Sequence, residues 1–399
     1  MNFLNFNEIP ILTYHLPEEK IARFPTENRD FSKLLIYEKN TIRSTLFREI
    51  SHFIEKNSLL IFNNTKVFPA RLIFEKNTGA KIEIFLLKPF IPAVYEESFR
   101  SKNFCTWECL IGNAKRWQNQ TLTKIFDDNI LTIEKLNAEN PALIRFQWNN
   151  SQISFSEIIE KCGKTPLPPY LKREALTQDK ENYQTIYAKI DGSVAAPTAG
   201  LHFTETIFEN LKNKNIQRCE LTLHVGAGTF KPISTTDISK HEMHTEHFSI
   251  SKENLQKFLQ FFPKIISVGT TSLRTLESIY WLGVKLLLNS FSLSKNFLSQ
   301  WEIYSLPQNI ETKTAFEAIL TYLENEKIEN FEGETQLIIV PSYQFRTVKG
   351  LITNFHQPQS TLLLLVAAFV GEKWKEIYDF ALNNDFRFLS YGDSSLLLK

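Results

Sequence analysis

The sequence predicts an α/β main domain interrupted by a small all-β, barrel-like domain. Three observations carry this reading: an opening third of short strand-like runs, a stretch from residue 66 to 148 with no helical period, and a later half in which helical and strand periods alternate.

In the opening part, residues 34–37, 59–62 and 81–87 are rich in β-formers and separated by polar turns, with Asn63-Asn64 ending one strand. From residue 66 to about 148, short apolar stretches alternate with Gly, Asn and Asp, which suits a small barrel-like β domain. Pro166, Pro168 and Pro169 then enforce extended backbone and return the chain to the main domain. The expected division is therefore 1–64 and 150–399 for the main domain and 65–149 for the insertion. Beyond the prolines, 204–213 reads as a helix, 219–225 as a strand, 265–268 as a buried strand and 272–281 as a helix. Thr314 and Glu317 have capping-box spacing, and Phe316, Ile319, Leu320 and Leu323 fall on one face of the helix they open. Ser360 is the expected N-cap of an apolar helix running to residue 369, with Pro358 setting its entry.

With 399 residues, 43% hydrophobic and 22% charged, the chain has the composition of a globular protein, and its length favours more than one domain. Its 45 Lys and Arg oppose 44 Asp and Glu, so any phosphate-binding surface must be a local patch. The four cysteines form no regular framework, which fits a reducing compartment. No basic stretch leads into an apolar core after Met1, and the longest strongly apolar run, 362–370, is too short for a bilayer. A cytoplasmic location is the expectation.

Three glycine-bearing turns combine small residues, hydroxyls and strand or helix ends. The first runs Ala195-Ala196-Pro197-Thr198-Ala199-Gly200-Leu201-His202-Phe203-Thr204 into a helix start, where free N–H groups suit an anion. The second is His224-Val225-Gly226-Ala227-Gly228-Thr229-Phe230, and the third Gly269-Thr270-Thr271-Ser272 with Arg274. Any one of them alone is equally a plain tight turn; the three together point to a site. Neither a G-x-G-x-x-G string nor a P-loop string occurs, which disfavours the two usual nucleotide motifs.

His241, His244 and His247 invite a metal reading, but their spacing is not H-E-x-x-H, and on a strand His244 and Glu246 share one face while His247 takes the other. Solvated or core histidines are the plainer alternative. His202 and His224, beside glycine turns, are better placed for acid–base work. Cys105 and Cys109 lack the third cysteine of an iron–sulfur radical site, Gly112 standing in its place. Lys115-Arg116-Trp117 and Lys172-Arg173 beside Tyr170 combine cations with stacking surfaces suited to RNA, although each pair is equally an ordinary charged turn.

These strings, in this order, resemble the S-adenosylmethionine:tRNA ribosyltransferase-isomerase family of queuosine biosynthesis. The resemblance rests on Leu16-Pro17-Glu18-Glu19, Arg29-Asp30, Phe62-Asn63-Asn64-Thr65-Lys66-Val67 and Pro69-Ala70-Arg71. It continues through Pro166-Leu167-Pro168-Pro169-Tyr170, Tyr183-Gln184-Thr185, Tyr187-Ala188 and the three glycine turns. It ends with the His241–His244 segment, Leu351-Ile352-Thr353-Asn354-Phe355-His356, Phe388 and Ser390-Tyr391-Gly392-Asp393. It covers about 10–280 and 335–398; the stretch at about 280–333 reads as an added peripheral lobe, and Gln357 stands where a leucine is expected.

The resemblance implies that the ribosyl group of S-adenosylmethionine is transferred and isomerised onto 7-aminomethyl-7-deazaguanine at the tRNA wobble position, releasing adenine and methionine and leaving epoxyqueuosine. S-adenosylmethionine is then a consumed substrate; no cofactor or metal is expected, and a monomer is the family expectation. The chemistry demands a base for the carbon next to the sulfonium and a proton donor for leaving adenine. His202 or His224 is the expected acid–base group, with Asp393, Glu205 and His244 in reserve. Thr198, Gly200, Gly226, Gly228, Gly269, Thr270, Thr271, Asn354 and His356 are expected at the substrate, and Arg274 at the methionine carboxylate. Phe203 or Phe355 is a candidate to face the sulfonium. Lys115, Arg116, Lys172 and Arg173 are the expected tRNA contacts. Two other classes stay open from residues alone: a noncatalytic RNA-binding module and a metal hydrolase using the His241 cluster.

Overall fold

The computed structural model describes residues 9–118, 121–226, 228, 233, 235, 237–288 and 296–399. A ten-stranded mixed sheet forms the main body. Edge to edge it runs Phe297–Leu298, Asn330–Thr335, Glu246–Ser251, Gln217–His224, Leu59–Asn63, Ile265–Val268, Gly350–Asn354, Ser394–Leu398, Lys33–Glu38 and Thr41–Leu46. Its four middle strands, from Gln217–His224 to Gly350–Asn354, are mutually parallel. Parallel strands are covered on both faces, and the pleat shows it: Leu59 and Ile61 enter one hydrophobic cluster while Leu60 and Phe62 enter another.

One face is covered chiefly by the Thr270–Leu287 helix, which is longer at both ends than its apolar period suggested and is buried along most of its length. The other carries Glu205–Asn213, whose N-cap Thr204 accepts from the Ile207 amide. Ser360 caps Thr361–Val370 as expected, accepting from the Leu363 amide.

The 280–333 stretch is not a peripheral lobe. Its helix, Thr312–Glu326, buries Ala315, Phe316, Ile319 and Leu323 in the main cluster, and Phe316 stacks on Phe258 with centroids 4.0 Å apart. An apolar face this wide has to be covered, and the main body is what covers it. Nor does Thr314 cap the helix: Glu311 stands at the N-cap, and the Thr312 hydroxyl donates to the Arg346 carbonyl at 2.9 Å.

The second sheet is antiparallel and seven-stranded, built from Arg71–Glu75 through Ala142–Trp148 with Gly163–Lys164 added at one edge. It curls until Lys124, on the far edge strand, donates to the Ile73 carbonyl at 2.9 Å, although no ladder joins the two strands. Inside the curl lie Trp107, Phe146, Cys105 and Cys109; burial pushes both thiols up, so they are inert apolar filling. The cluster runs on through Phe155, Ile158 and Ile159 of the Phe155–Cys162 helix, which Ser154 and Glu157 close with a capping box. At the junction of the two sheets, Tyr95 stacks on His224, with rings 4.3 Å apart and nearly parallel.

Candidate active site

In an open parallel sheet, ligands bind beyond the carboxyl ends of the strands, where chain directions diverge and helix N-termini point outward. A cleft open to solvent lies at this end. The segments that leave the strands build its wall: Val225 after Gln217–His224, Gly269-Thr270-Thr271 after Ile265–Val268, and Phe355, His356 and Gln357 after Gly350–Asn354. Ala195–Ala199, Ser360, Tyr170 and Ser390 complete the wall. The glycine turns and the 351–356 segment, far apart in the chain, thus share one cavity.

Two helices open at this cleft, one at Thr270 and one at Thr361, and their free amides favour negative charge. Gly269 makes the first turn, with φ +96°, a conformation that a side chain disfavours. Gly200 is required for another reason. A Cβ there would stand 1.8 Å from the Tyr187 hydroxyl.

Buried polar atoms without a partner are uncommon in folded proteins and often mark where a ligand is missing. Several gather here. Asn354 gives its amide hydrogens to the Leu389 and Ser390 carbonyls, while its Oδ1, on the cleft wall, has no partner among the described residues. Ser272 Oγ, in the first turn of the Thr270 helix, is also unpaired among them, and the buried Tyr183 hydroxyl lies beside Ser390 and Ala196. Tyr170 and Ser390 share a 2.5 Å hydroxyl pair on the wall, and burial pushes the Tyr170 phenol up to about 12.

Four of the histidines differ sharply in their surroundings. His202 is buried, its Nδ1 2.7 Å from Ser32 Oγ and its ring 4.9 Å from Phe47; burial lowers its pKa to about 4, against a smaller opposing effect of Asn354. His224 is held between Tyr95 and the Gly192 carbonyl, 3.0 Å from Nδ1; burial and then the nearby His247 lower it to about 4. His356 lines the cleft, pairs with Thr353 Oγ1 at 2.9 Å, and is lowered by burial to about 3. His244 is the one tied to a charge: its Nε2 lies 2.9 Å from Glu246 Oε1, and Arg274 grips the other carboxylate oxygen. Burial alone would raise the Glu246 carboxyl, but Arg274 and His244 outweigh it and hold the value at about 2. The strand carrying Glu246 pairs beside His224, at the cleft end of the sheet. His241–Thr245 precede that strand, which begins only at Glu246.

The remaining expected residues are spread around this centre. Thr198, Gly269, Thr270, Thr271, Asn354 and His356 line the cleft. Arg274 stands one helical turn beyond Thr271, its guanidinium committed to Glu246. Gly226 comes directly after Val225, and Gly228 packs against the His244 ring, since a Cβ there would meet Nδ1 at 2.5 Å; Ala227, Thr229 and Phe230 lie outside the described residues. Glu205 is an exposed first residue of its helix. Asp393 is structural in its bonding, accepting from the Lys33 and Arg387 amides at 2.8 and 2.7 Å. Phe203 is packed among Phe47, Phe62 and Phe208, and Phe355 among Phe386, Phe388 and Tyr378, although Phe355 also reaches the cleft wall.

At the basic spots, two of the expected groups are engaged within the fold. Trp117 is no stacking surface: it is 3% exposed and fills the β-domain core, because an indole of that size beside a curled sheet is more stable inside it. Arg173 is no free phosphate ligand: it forms a two-pronged pair with buried Asp179 at 2.6 and 2.7 Å, which that carboxylate needs in order to stay charged. Lys115 and Arg116 sit on an exposed turn, and Lys172 pairs with Glu18 at 3.0 Å. No group of three or more His, Cys, Asp or Glu among the described residues is arranged to hold a metal ion. No helix among them is long and apolar enough to cross a membrane.

Sequence reasoning missed Glu246, Tyr183 and the Tyr170–Ser390 pair. The signal for Glu246 was present in its strand parity with His244, but its partner Arg274 is 28 residues away.

The chain is similar to known proteins along nearly its whole length. A family model described as queuosine biosynthesis protein matches residues 10–397. A protein of Thermotoga maritima named S-adenosylmethionine:tRNA ribosyltransferase-isomerase is 37% identical over 391 residues, 96% of this chain and 98% of its own. The protein of the same name from Sulfurihydrogenibium is 37% identical over 393 residues, again with 96% and 98% coverage. A crystal structure of S-adenosylmethionine tRNA ribosyltransferase from Thermotoga maritima covers 97% of this chain and 99% of its own at 29% identity, with a TM-score of 0.46. With the family model spanning nearly all of it, the chain belongs to the queuosine biosynthesis protein family.

Proposed function

We infer that this chain is an S-adenosylmethionine:tRNA ribosyltransferase-isomerase. It transfers and isomerises the ribosyl group of S-adenosylmethionine onto 7-aminomethyl-7-deazaguanine at the wobble position of tRNA, giving epoxyqueuosine with release of adenine and methionine. The observation that carries this is the 37% identity over 96% of the chain to relatives of that name, in a fold where the matching turns share one cleft. S-adenosylmethionine is consumed as a substrate, and the protein acts as a monomer in the cytoplasm.

The cleft's chemistry supports the reading. Methionine carries a carboxylate, and the Thr270 and Thr361 helix N-termini offer it amides without spending a basic side chain. Arg274 is therefore assigned to Glu246 and not to the substrate. Asn354 Oδ1, on the cleft wall beside His202, is an acceptor for a donor such as the exocyclic amine of adenine. His244 is assigned as the proton acceptor for the carbon beside the sulfonium. In the tautomer that donates Nε2–H to Glu246, Nδ1, on the Gly228 side of the ring, is the nitrogen left to accept a proton. His202 and His224 are assigned to the frame, because burial keeps both neutral with their rings packed in place. Lys115, Arg116 and Lys172 are assigned to tRNA phosphates.

The test is to incubate the purified protein with S-adenosylmethionine and tRNA bearing 7-aminomethyl-7-deazaguanine, following adenine release and the mass of the modified nucleoside. Adenine release matched one for one by the ribosyl-derived mass gain is expected. Tight tRNA binding with no adenine release would instead identify an RNA-binding module.

A further inference from the structure

An RNA base that enters a cleft leaves its neighbours in the strand without a stacking partner, and RNA-binding proteins commonly replace that partner with an aromatic ring. We propose that Phe24 is this replacement, a stacking platform at the rim of the cleft for the unpaired base on one side of the nucleotide being modified. The inference rests on the tRNA reading above and adds the residue that orders the neighbouring base.

Phe24 is 52% exposed, unusual for a ring so firmly held. The Arg173 guanidinium lies 4.2 Å from its centroid and covers one face. Arg173 is itself fixed by its two bonds to Asp179 and by Nε donation to the Arg23 carbonyl at 2.9 Å. Arg387 donates to the Phe24 carbonyl at 3.3 Å, so the backbone is held as well. The result is an ordered ring with open surface, backed by a cation, at little further entropic cost on binding.

Its place decides the partner. Residues 21–22 run alongside Phe388, through the Ile21–Phe388 bridge and an Ala22 amide donating to the Phe388 carbonyl at 3.2 Å. Leu389 and Ser390, next in the chain, line the cleft. On the other side, Arg173 approaches the Tyr391 ring and lies three residues after Tyr170, also on the wall. Arg23 and Lys172 flank the platform, both paired with Glu18, and offer cations within reach of a phosphate backbone. Two other exposed phenylalanines, Phe31 and Phe104, also sit against arginines, Arg48 and Arg145. Phe104 lies on the β domain, and Phe31 and Arg48 belong to the turns flanking the Lys33–Glu38 and Thr41–Leu46 hairpin.

The experiment measures direct binding of an anticodon stem-loop RNA by wild type, Phe24→Ala and Phe24→Trp. Each protein is tested with intact RNA and with RNA abasic at one or the other nucleotide flanking the target position. Phe24→Ala is expected to weaken binding about tenfold, Phe24→Trp to keep it, and one abasic position to cost wild type about as much as Phe24→Ala loses. That abasic RNA should cost Phe24→Ala little more, the two losses failing to multiply. Binding of Phe24→Ala within about twofold of wild type, or independent losses at both flanking positions, overturns the proposal. Because binding is read without turnover, a wild-type protein that binds this RNA but releases no adenine refutes the catalytic reading and leaves the platform standing or falling on its own data.

Discussion

His244 Nε2 lies 2.9 Å from Glu246 Oε1, and the same buried carboxylate is held from its other side by Arg274. A histidine and an acid two residues apart and an arginine 28 residues further on thereby form one connected chain of contacts. The arrangement makes His244 the group whose replacement should affect chemistry more than binding. His244→Ala is expected to lower kcat by about 10²-fold or more with little change in KM for S-adenosylmethionine. Unchanged kcat under saturating substrate would remove His244 from the mechanism.

Breaking the buried pair should cost stability on a scale unlike that of a surface bridge. Arg274→Met is expected to destabilise the fold by roughly 3–5 kcal/mol in urea unfolding, since it strands the Glu246 carboxylate. The lowered carboxyl sets the sign with pH. Its stabilising contribution is complete above about pH 4.5 and is lost as pH falls towards about 2. Arg274→Met should therefore differ least from wild type at the acid end, and an equal gap at every pH would contradict the pairing.

Buried neutral histidines give the opposite chemistry but the same direction. His202 and His224 titrate near 4 in the fold and near 6.5 when unfolded, so between those values the unfolded chain binds more protons and stability falls as pH falls. Replacing His224 by Phe should flatten the loss of stability between pH 6.5 and 4, whatever its effect at neutral pH. A slope identical to wild type would place that histidine in solvent.

Gly200 faces the Tyr187 hydroxyl with no room for a methyl group. Gly200→Ala should cost about 1–3 kcal/mol and reduce activity by shifting the Thr198–Gly200 turn at the cleft. Adding Tyr187→Phe, which removes the nearest atom, should recover part of both; a double variant as weak as Gly200→Ala alone would locate the strain elsewhere.

For RNA contacts, the two kinds of cation should separate. Neutralising Lys115 and Arg116 is expected to lower the slope of log Kd against log salt by roughly 0.7–0.9 per lost contact, with the fold unaffected. Arg173→Ala should instead lower the melting temperature, by exposing Asp179 as an unpaired buried acid. Equal thermal stability with a reduced salt slope would make Arg173 a phosphate ligand after all.

Local elements were legible in the chain. The 265–268 strand stands where its apolar run put it, and Thr204 and Ser360 cap the helices they precede, because these are set by short-range periodicity and by one hydroxyl meeting one amide. The glycine turns were recognisable as a set of possible ligand contacts by their composition. What periodicity did not convey was depth. The 312–326 helix has an ordinary amphipathic pattern whether it closes the main core or decorates it, and Trp117 reads as a surface aromatic until the sheet curls around it.

By itself, then, the sequence determined the α/β class, several individual strands and helices and the family, since ordered strings and periods survive without knowledge of contacts. Only the tertiary structure decided which histidine meets an ionised acid, which arginines are already occupied, and that Thr198, Gly269 and Asn354 share one cleft. Some of these pairings are close in sequence, His244 with Glu246 and Arg173 with Asp179, and others span tens to hundreds of residues, but all are fixed by burial: a charge leaves water only where a partner arrives with it.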